Sequence, residues 1–108
     1  MFTRHAGGED YRPVAPGIEL RSLSRGADTH MVEFRLEAGH ELPSHHHPHE
    51  QTGFLVSGRI RLRIGDVTHE VEPGDSWSIA GNVQHGATIL EDAVAIEVFS
   101  PVREDLLP

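Results

Sequence analysis

Residues 39–58 read GHELPSHHHPHEQTGFLVSG, and this stretch decides the fold. It opens and closes on glycine and carries four histidines among residues 45–49. His45 and His47 stand two apart on an extended segment, a spacing that turns both imidazoles to one side and makes them a chelating pair. Gln51 lies four residues beyond His47, which keeps it on that side if the strand runs unbroken past Pro48; its amide oxygen could be a third ligand. A strand cannot surround an ion alone, so a fourth ligand must come from elsewhere, and His85, just after the turn cluster Gly81-Asn82, is the best-placed candidate. Imidazole nitrogens with one amide oxygen suit Zn, Ni, Mn, Fe, Co or Cu and fit calcium or magnesium poorly. Taken alone, such a loop is also compatible with a solvated turn, a fortuitous metal trap or a pH-sensitive surface patch.

Outward from this stretch, short runs of β-branched and aliphatic residues are punctuated by Gly, Pro, Asp and Asn. They predict strands near Ile18 to Leu23, Thr29 to Leu36, Gln51 to Val56, Arg59 to Ile64, Thr68 to Val71, Ser76 to Ile79, Ala87 to Leu90 and Val94 to Phe99. Nothing reads as a long helix, so the fold class is all-β, a barrel or sandwich. Ile60, Leu62 and Ile64 face one way while Arg59, Arg61 and Arg63 face the other, the pattern of a half-buried strand whose arginines form either a solvated face or an anion site. Ser57-Gly58 and Gly65-Asp66 supply residues that tolerate positive φ, and both read as hairpin connections. Pro73-Gly74-Asp75 reads as a type II turn, and the tail from Ser100 to Pro108 as coil or a short helical turn.

The 108 residues fit one domain, 1–108, with a hydrophobic fraction of 37%. Without cysteine, neither a disulfide nor a thiolate metal site is possible. Seventeen acids against nine bases give a net charge of -8, which opposes a nucleic-acid partner. No apolar run is long enough for a bilayer, and Met1 to Asp10 lacks the grading of a signal peptide, so a cytoplasmic protein without membrane contact is expected. Of the remaining histidines, His5, His30, His40 and His69 read as ordinary surface or capping residues. His46 should point away from its neighbours, and His49 could support the site or substitute for a ligand.

Two spaced motifs in this order resemble those of the cupin superfamily. The first, over about residues 39–58, is Gly39, His45, His47, Gln51 and Gly58, with Gln where Glu is usual; the second, over about residues 73–87, is Pro73, Gly74, Asp75 and His85. The resemblance covers about residues 30 to 100 and implies a double-stranded β-helix, a jelly-roll barrel with one divalent transition metal inside its wider end. Among cupins, HPHEQ, PGD, VQHG and FSPVREDLL are most similar to the KdgF type of pectin-degradation cupin. That similarity implies His45, His47, Gln51 and His85 as metal ligands and unsaturated uronate monomers as substrate, opened and ketonised to linear sugar acids. An Asp and a Phe two residues apart line the pocket in that group; Glu97 and Phe99 occupy the pattern here, with the carboxylate one methylene farther out. Glu97 is then the candidate catalytic acid or base, and Phe99 with an inward arginine, Arg35 or Arg61, would bind substrate. The plainer reading of Glu97 and Phe99 is a core-edge carboxylate and a core aromatic, and Trp77 reads as core. Two other functions fit a cupin of this kind: a dioxygenase, which would need a redox-active metal, and a non-catalytic sugar-binding or sensing module. A homodimer is expected, to which Val14, Ile18 and Leu20 could lend a strand.

Overall fold

A computed structural model describes residues 1–5 and 10–108 as an antiparallel all-β barrel. Its strands are β1 (Arg12–Ala15), β2 (Ile18–Arg25), β3 (His30–Leu36), β4 (Glu41–His45), β5 (Glu50–Ile64), β6 (Val67–Val71), β7 (Ser76–Ile79) and β8 (His85–Ser100), followed by a 3-10 turn at Glu104–Leu106. The two long strands run side by side, from Glu50 opposite Ser100 to Ile64 opposite His85. On the outer side of β8, β3 pairs with residues 93–99 and β4 with residues 85–88. On the outer side of β5, β7 pairs with residues 51–54 and β6 with residues 60–64. Two sheets therefore share both long strands, β1-β2-β3-β8-β5-β7 and β4-β8-β5-β6, the arrangement of a jelly roll.

Period-two alternation decides what lies between the sheets. Along β8 it sends Ala87, Ile89, Ala93, Ala95, Glu97 and Phe99 inward, and along β5 it does the same for Gln51, Leu55, Ile60 and Leu62. The larger apolar cluster centres on Ile18, Leu36, Leu55, Ile60, Leu62 and Ile89. A smaller one joins Leu20, Val32 and Phe99 to Leu106, so the 3-10 turn after β8 packs back onto the core. Each fully buried aliphatic side chain contributes about 1.5–3 kcal/mol.

Four expectations change. Ser57-Gly58 is not a hairpin, because the segments on either side of it both pair with β8, and the chain passes through as a register shift in one continuous strand. Gly58 has φ 82°, a conformation that serves a bulge as well as a turn. The expected strands at Ala87 to Leu90 and Val94 to Phe99 are likewise one strand, β8. β1 and β4 are short and carry prolines, which hid them from a reading by composition. Ile18 and Leu20 belong to this chain's own core, exposed by only 2% and 1%, while Val14 stays exposed on β1. Gly65-Asp66 does form the predicted tight connection, joining Ile64 to its pair Val67, and Gly74 has the positive φ that a type II turn requires.

His30 is a further correction: it is fully buried instead of lying on the surface. One ring nitrogen, Nε2, lies 2.7 Å from Ser22 Oγ, and Nδ1 has no partner. Burial, with Arg25 and Arg103 nearby, holds its pKa below the ordinary value, so the folded barrel favours neutral His30. The unfolded chain takes up that proton below a pH of about 6.5, so the stabilisation is present above this value and is lost as pH falls further. Denaturant unfolding should therefore show stability falling from pH 8 to pH 5, with a smaller fall in His30→Asn. A separate prediction concerns Gly58, where a Cβ would collide with the Asp92 carbonyl and with Ala93. Gly58→Ala should lower stability by about 1–3 kcal/mol, read as a lower denaturant midpoint at unchanged slope.

Candidate metal centre

His45 ends β4, His47 follows in the connecting loop, Gln51 is the second residue of β5 and His85 the first of β8. Pairing of His45 with His85 brings two of the rings together, with centroids 4.2 Å apart. The His47 ring lies 4.9 Å from that of His85 and 5.7 Å from that of His45. One nitrogen from each of the three histidines falls within 4.8 Å of the others, close enough to hold a single ion.

Hydrogen bonding decides which nitrogens are available. Nδ1 of His45 lies 2.9 Å from Pro43 O, that of His47 2.9 Å from His49 O, and that of His85 2.8 Å from Val83 O. A carbonyl can only accept, so each neutral ring carries its proton on Nδ1 and keeps a lone pair on Nε2. Nε2 of His47 and Nε2 of His85 are buried without a partner. Gln51 is in the same condition: its Nε2 donates to Glu97 Oε2 at 3.1 Å, which leaves its buried Oε1 unpartnered. Buried acceptors left in this state cost about 1–3 kcal/mol each, and a bound cation would satisfy all of them. Burial pushes the pKa of His85 down to about 4 and, aided by the Arg103 charge, lowers that of His47. Both shifts favour the neutral ring that a ligand must be.

Glu97 sits beside this group. Gln51 holds one carboxylate oxygen and Trp77 Nε1 holds the other at 3.1 Å, while burial raises its pKa to about 7 against the opposing pull of those two donors. Trp77 reaches Glu97 because its neighbour across the β5–β7 ladder is Gly53, where a Cβ would fall inside the indole ring. Trp77 is thus a wall of the site as well as part of the core. Phe99 packs its ring 5.8 Å from that of His47.

His45, Gln51, Trp77, His85, Glu97 and Phe99 line a cavity of about 240 Å3, whose other walls include Leu20, Phe34, Leu36, Leu42, Ile60 and Ile89. Neither predicted arginine reaches it. Arg35 pairs with Glu19 at 3.5 Å and stacks on Tyr11 outside the barrel, and Arg61 pairs with Glu70 at 2.6 Å. Arg59 and Arg63 pair with Glu91 and Glu41, so the period-two arginines are a solvated, ion-paired face. The cation that does line the cavity is Arg103, stacked 4.8 Å over Phe99. The sequence signal for it was present in FSPVREDLL, but a tail read as coil gives no direction for a side chain. His46 points outward to Gln84, as its alternation predicts, and His49 supports His47 through its carbonyl.

Residues 32–100 match the cupin domain family. The chain is a cupin. Its barrel superposes on that of KdgF from Halomonas sp. with a TM-score of 0.89 at 30% identity, covering 95% of this chain and 96% of that one. An RmlC-like cupin from Shewanella frigidimarina gives a TM-score of 0.90 at 25% identity, over 96% and 94% of the two chains. An acireductone dioxygenase from Bacillus cytotoxicus is 35% identical over an alignment of 91 residues that covers 76% of this chain and 48% of that protein. The chain spans about half the length of the curated relatives it matches. No helix among the described residues is long and apolar enough to cross a membrane.

Metal should stabilise this cupin through the unpartnered acceptors. At a free concentration one hundred times Kd, the gain is about 2.7 kcal/mol, on the order of 10 °C in Tm for a domain of this size. Thermal scans with Zn, Ni and Mn should show it in wild type, and His85→Ala or Gln51→Ala should largely abolish it.

Proposed function

We propose that this cupin is a metal-dependent enzyme of the KdgF type, promoting ring opening and ketonisation of unsaturated uronate monomers. The observation that carries the reading is the convergence of unpartnered His47 Nε2, His85 Nε2 and Gln51 Oε1 beside a buried carboxyl group at a largely apolar cavity. His45, His47, Gln51 and His85 would hold the ion. When bound, a divalent ion in this neutral ligand set supplies undiminished positive charge to polarise a substrate oxygen.

The chain's own groups divide the remaining work. Arg103 is the cavity's cation and would anchor the uronate carboxylate, which explains how a chain of net charge -8 could hold an acid. Phe99 offers an apolar face to the sugar ring, and the aliphatic walls keep water from the reacting atoms. Glu97 is the proton carrier: it takes the hemiacetal hydroxyl proton as the ring C–O bond opens to the aldehyde and releases an enolate, and it returns that proton to the enolate carbon to give the ketone. The two changes balance, so no oxidant or reductant is consumed. Gln51 and Trp77 fix the carboxylate where it can serve both positions.

Metal-loaded protein should speed the loss of near-ultraviolet enol-ether absorbance from unsaturated galacturonate or mannuronate monomers. Glu97→Gln should slow it at least about a hundredfold while leaving metal stabilisation in place. No acceleration by metal-loaded wild type sinks the reading. A second reading rests on the similarity to acireductone dioxygenases: it requires oxygen uptake with iron, manganese or copper bound and none with zinc. Metal and uronate binding without turnover would leave a sugar-binding module.

A further inference from the structure

The Arg103 side chain does not approach the cavity unaided. Its Nε donates to Asp105 Oδ1 at 3.0 Å and its Nη2 to Asp105 Oδ2 at 2.7 Å, a two-bond pairing across one edge of the guanidinium. The pair is asymmetric in exposure: the Arg103 side chain is only 14% exposed, whereas that of Asp105 is 61% exposed. Asp105 therefore grips the cation from the solvent side and does not itself line the cavity. The Phe99 ring supports the flat face of the guanidinium, and Nη1 lies outside the pairing. The grip is itself anchored: Leu106 is buried against Leu20, Val32 and Phe99, and Arg12 donates to the Asp105 carbonyl at 3.1 Å.

We propose that Asp105 is the positioning residue of a carboxylate subsite, holding Arg103 so that the unpaired edge of its guanidinium is presented to the cavity. This rests on the reading of Arg103 as the substrate anchor. An unclamped arginine must lose its rotamer freedom on binding, whereas one already locked by a partner binds at lower entropic cost. The opposing effect is charge: Asp105 partly neutralises the cation. Its exposure to water screens that repulsion, while the substrate side of the guanidinium is shielded, so positioning should outweigh neutralisation. The alternative, in which Asp105 is a placeholder that an incoming carboxylate displaces, predicts the reverse sign.

The test is calorimetric titration of zinc-loaded protein with D-galacturonate, with D-galactose as the carboxylate-free control and acetate as the sugar-free one. Wild type should prefer galacturonate to galactose. Asp105→Asn should lower that preference about tenfold, with Tm and zinc affinity unchanged, and Asp105→Glu should restore part of it. In the absorbance assay, the loss should fall on KM more than on kcat. Unchanged or tighter galacturonate binding by Asp105→Asn overturns the proposal, as does a parallel loss of zinc affinity or of Tm, which would mark Asp105 as merely structural. If wild type binds acetate but neither sugar, the uronate reading fails on its own. The clamp then stands only if acetate binding is weakened in Asp105→Asn. If wild type binds no carboxylate at all, both fail.

Discussion

The pairing of β5 with β8 is the constraint on which both barrel and site depend. These strands belong to both sheets at once, so their shared ladder fixes the gap between the sheets and the register of everything that projects into it. The ladder sets Gln51 opposite Phe99 and Gly53 opposite Glu97, and it places His85 at the end of β8 where β4 delivers His45. A slip of one residue would turn each of these side chains to the other face. Gly58 is where the constraint is enforced most tightly, because the bulged strand passes so close to Asp92 and Ala93 that no side chain fits.

Against that scaffold, the site is a local excess of unsatisfied polarity. Buried His47 Nε2, His85 Nε2 and Gln51 Oε1 all lack partners, and Glu97 is a carboxyl group surrounded by protein with only two donors. Each such acceptor weakens the fold without its ligand, and an apolar residue of similar size would pack there at lower cost. The barrel tolerates this because the unsatisfied atoms sit at one end, while Leu55, Ile60, Leu62 and Ile89 form an uninterrupted apolar cluster beyond them. The same division produces the electrostatics of the cavity. The walls are largely aliphatic, and a bound charge is felt more strongly where few polar groups screen it.

The sequence made the fold class and the imidazole group legible because both rest on short-range regularities. Short β-branched and aliphatic runs between turn residues mark β3, β6 and β7 nearly to their ends, and the two-residue spacing of His45 and His47 brings both rings into one group. What it obscured depends on long-range pairing. Whether Ser57-Gly58 turns the chain or only kinks it is decided by β8, more than thirty residues away, and no local property of the dipeptide distinguishes the outcomes. Arg35 and Arg61 carry the charge that an acid-binding pocket needs, but on this barrel a strand arginine next to a cross-strand glutamate is drawn outward to that partner. Arg103 was missed for the complementary reason. It follows the last strand, where periodicity gives no direction, and only burial of Leu106 in the barrel end turns the tail back over Phe99.

The substitution of Glu97 for the aspartate of the resembled pattern gains meaning from its neighbours. A longer carboxylate in an unchanged pocket would project farther toward the ion, where opposite charge would draw it in as an additional ligand. Here both oxygens are already engaged, one by the amide of Gln51 and the other by the indole of Trp77, and the indole can come so near only because residue 53 is glycine. The added methylene is thus accommodated on the β7 side of the barrel. That keeps the carboxylate beside the imidazole group without making it part of that group, as the proton-carrying role proposed above requires.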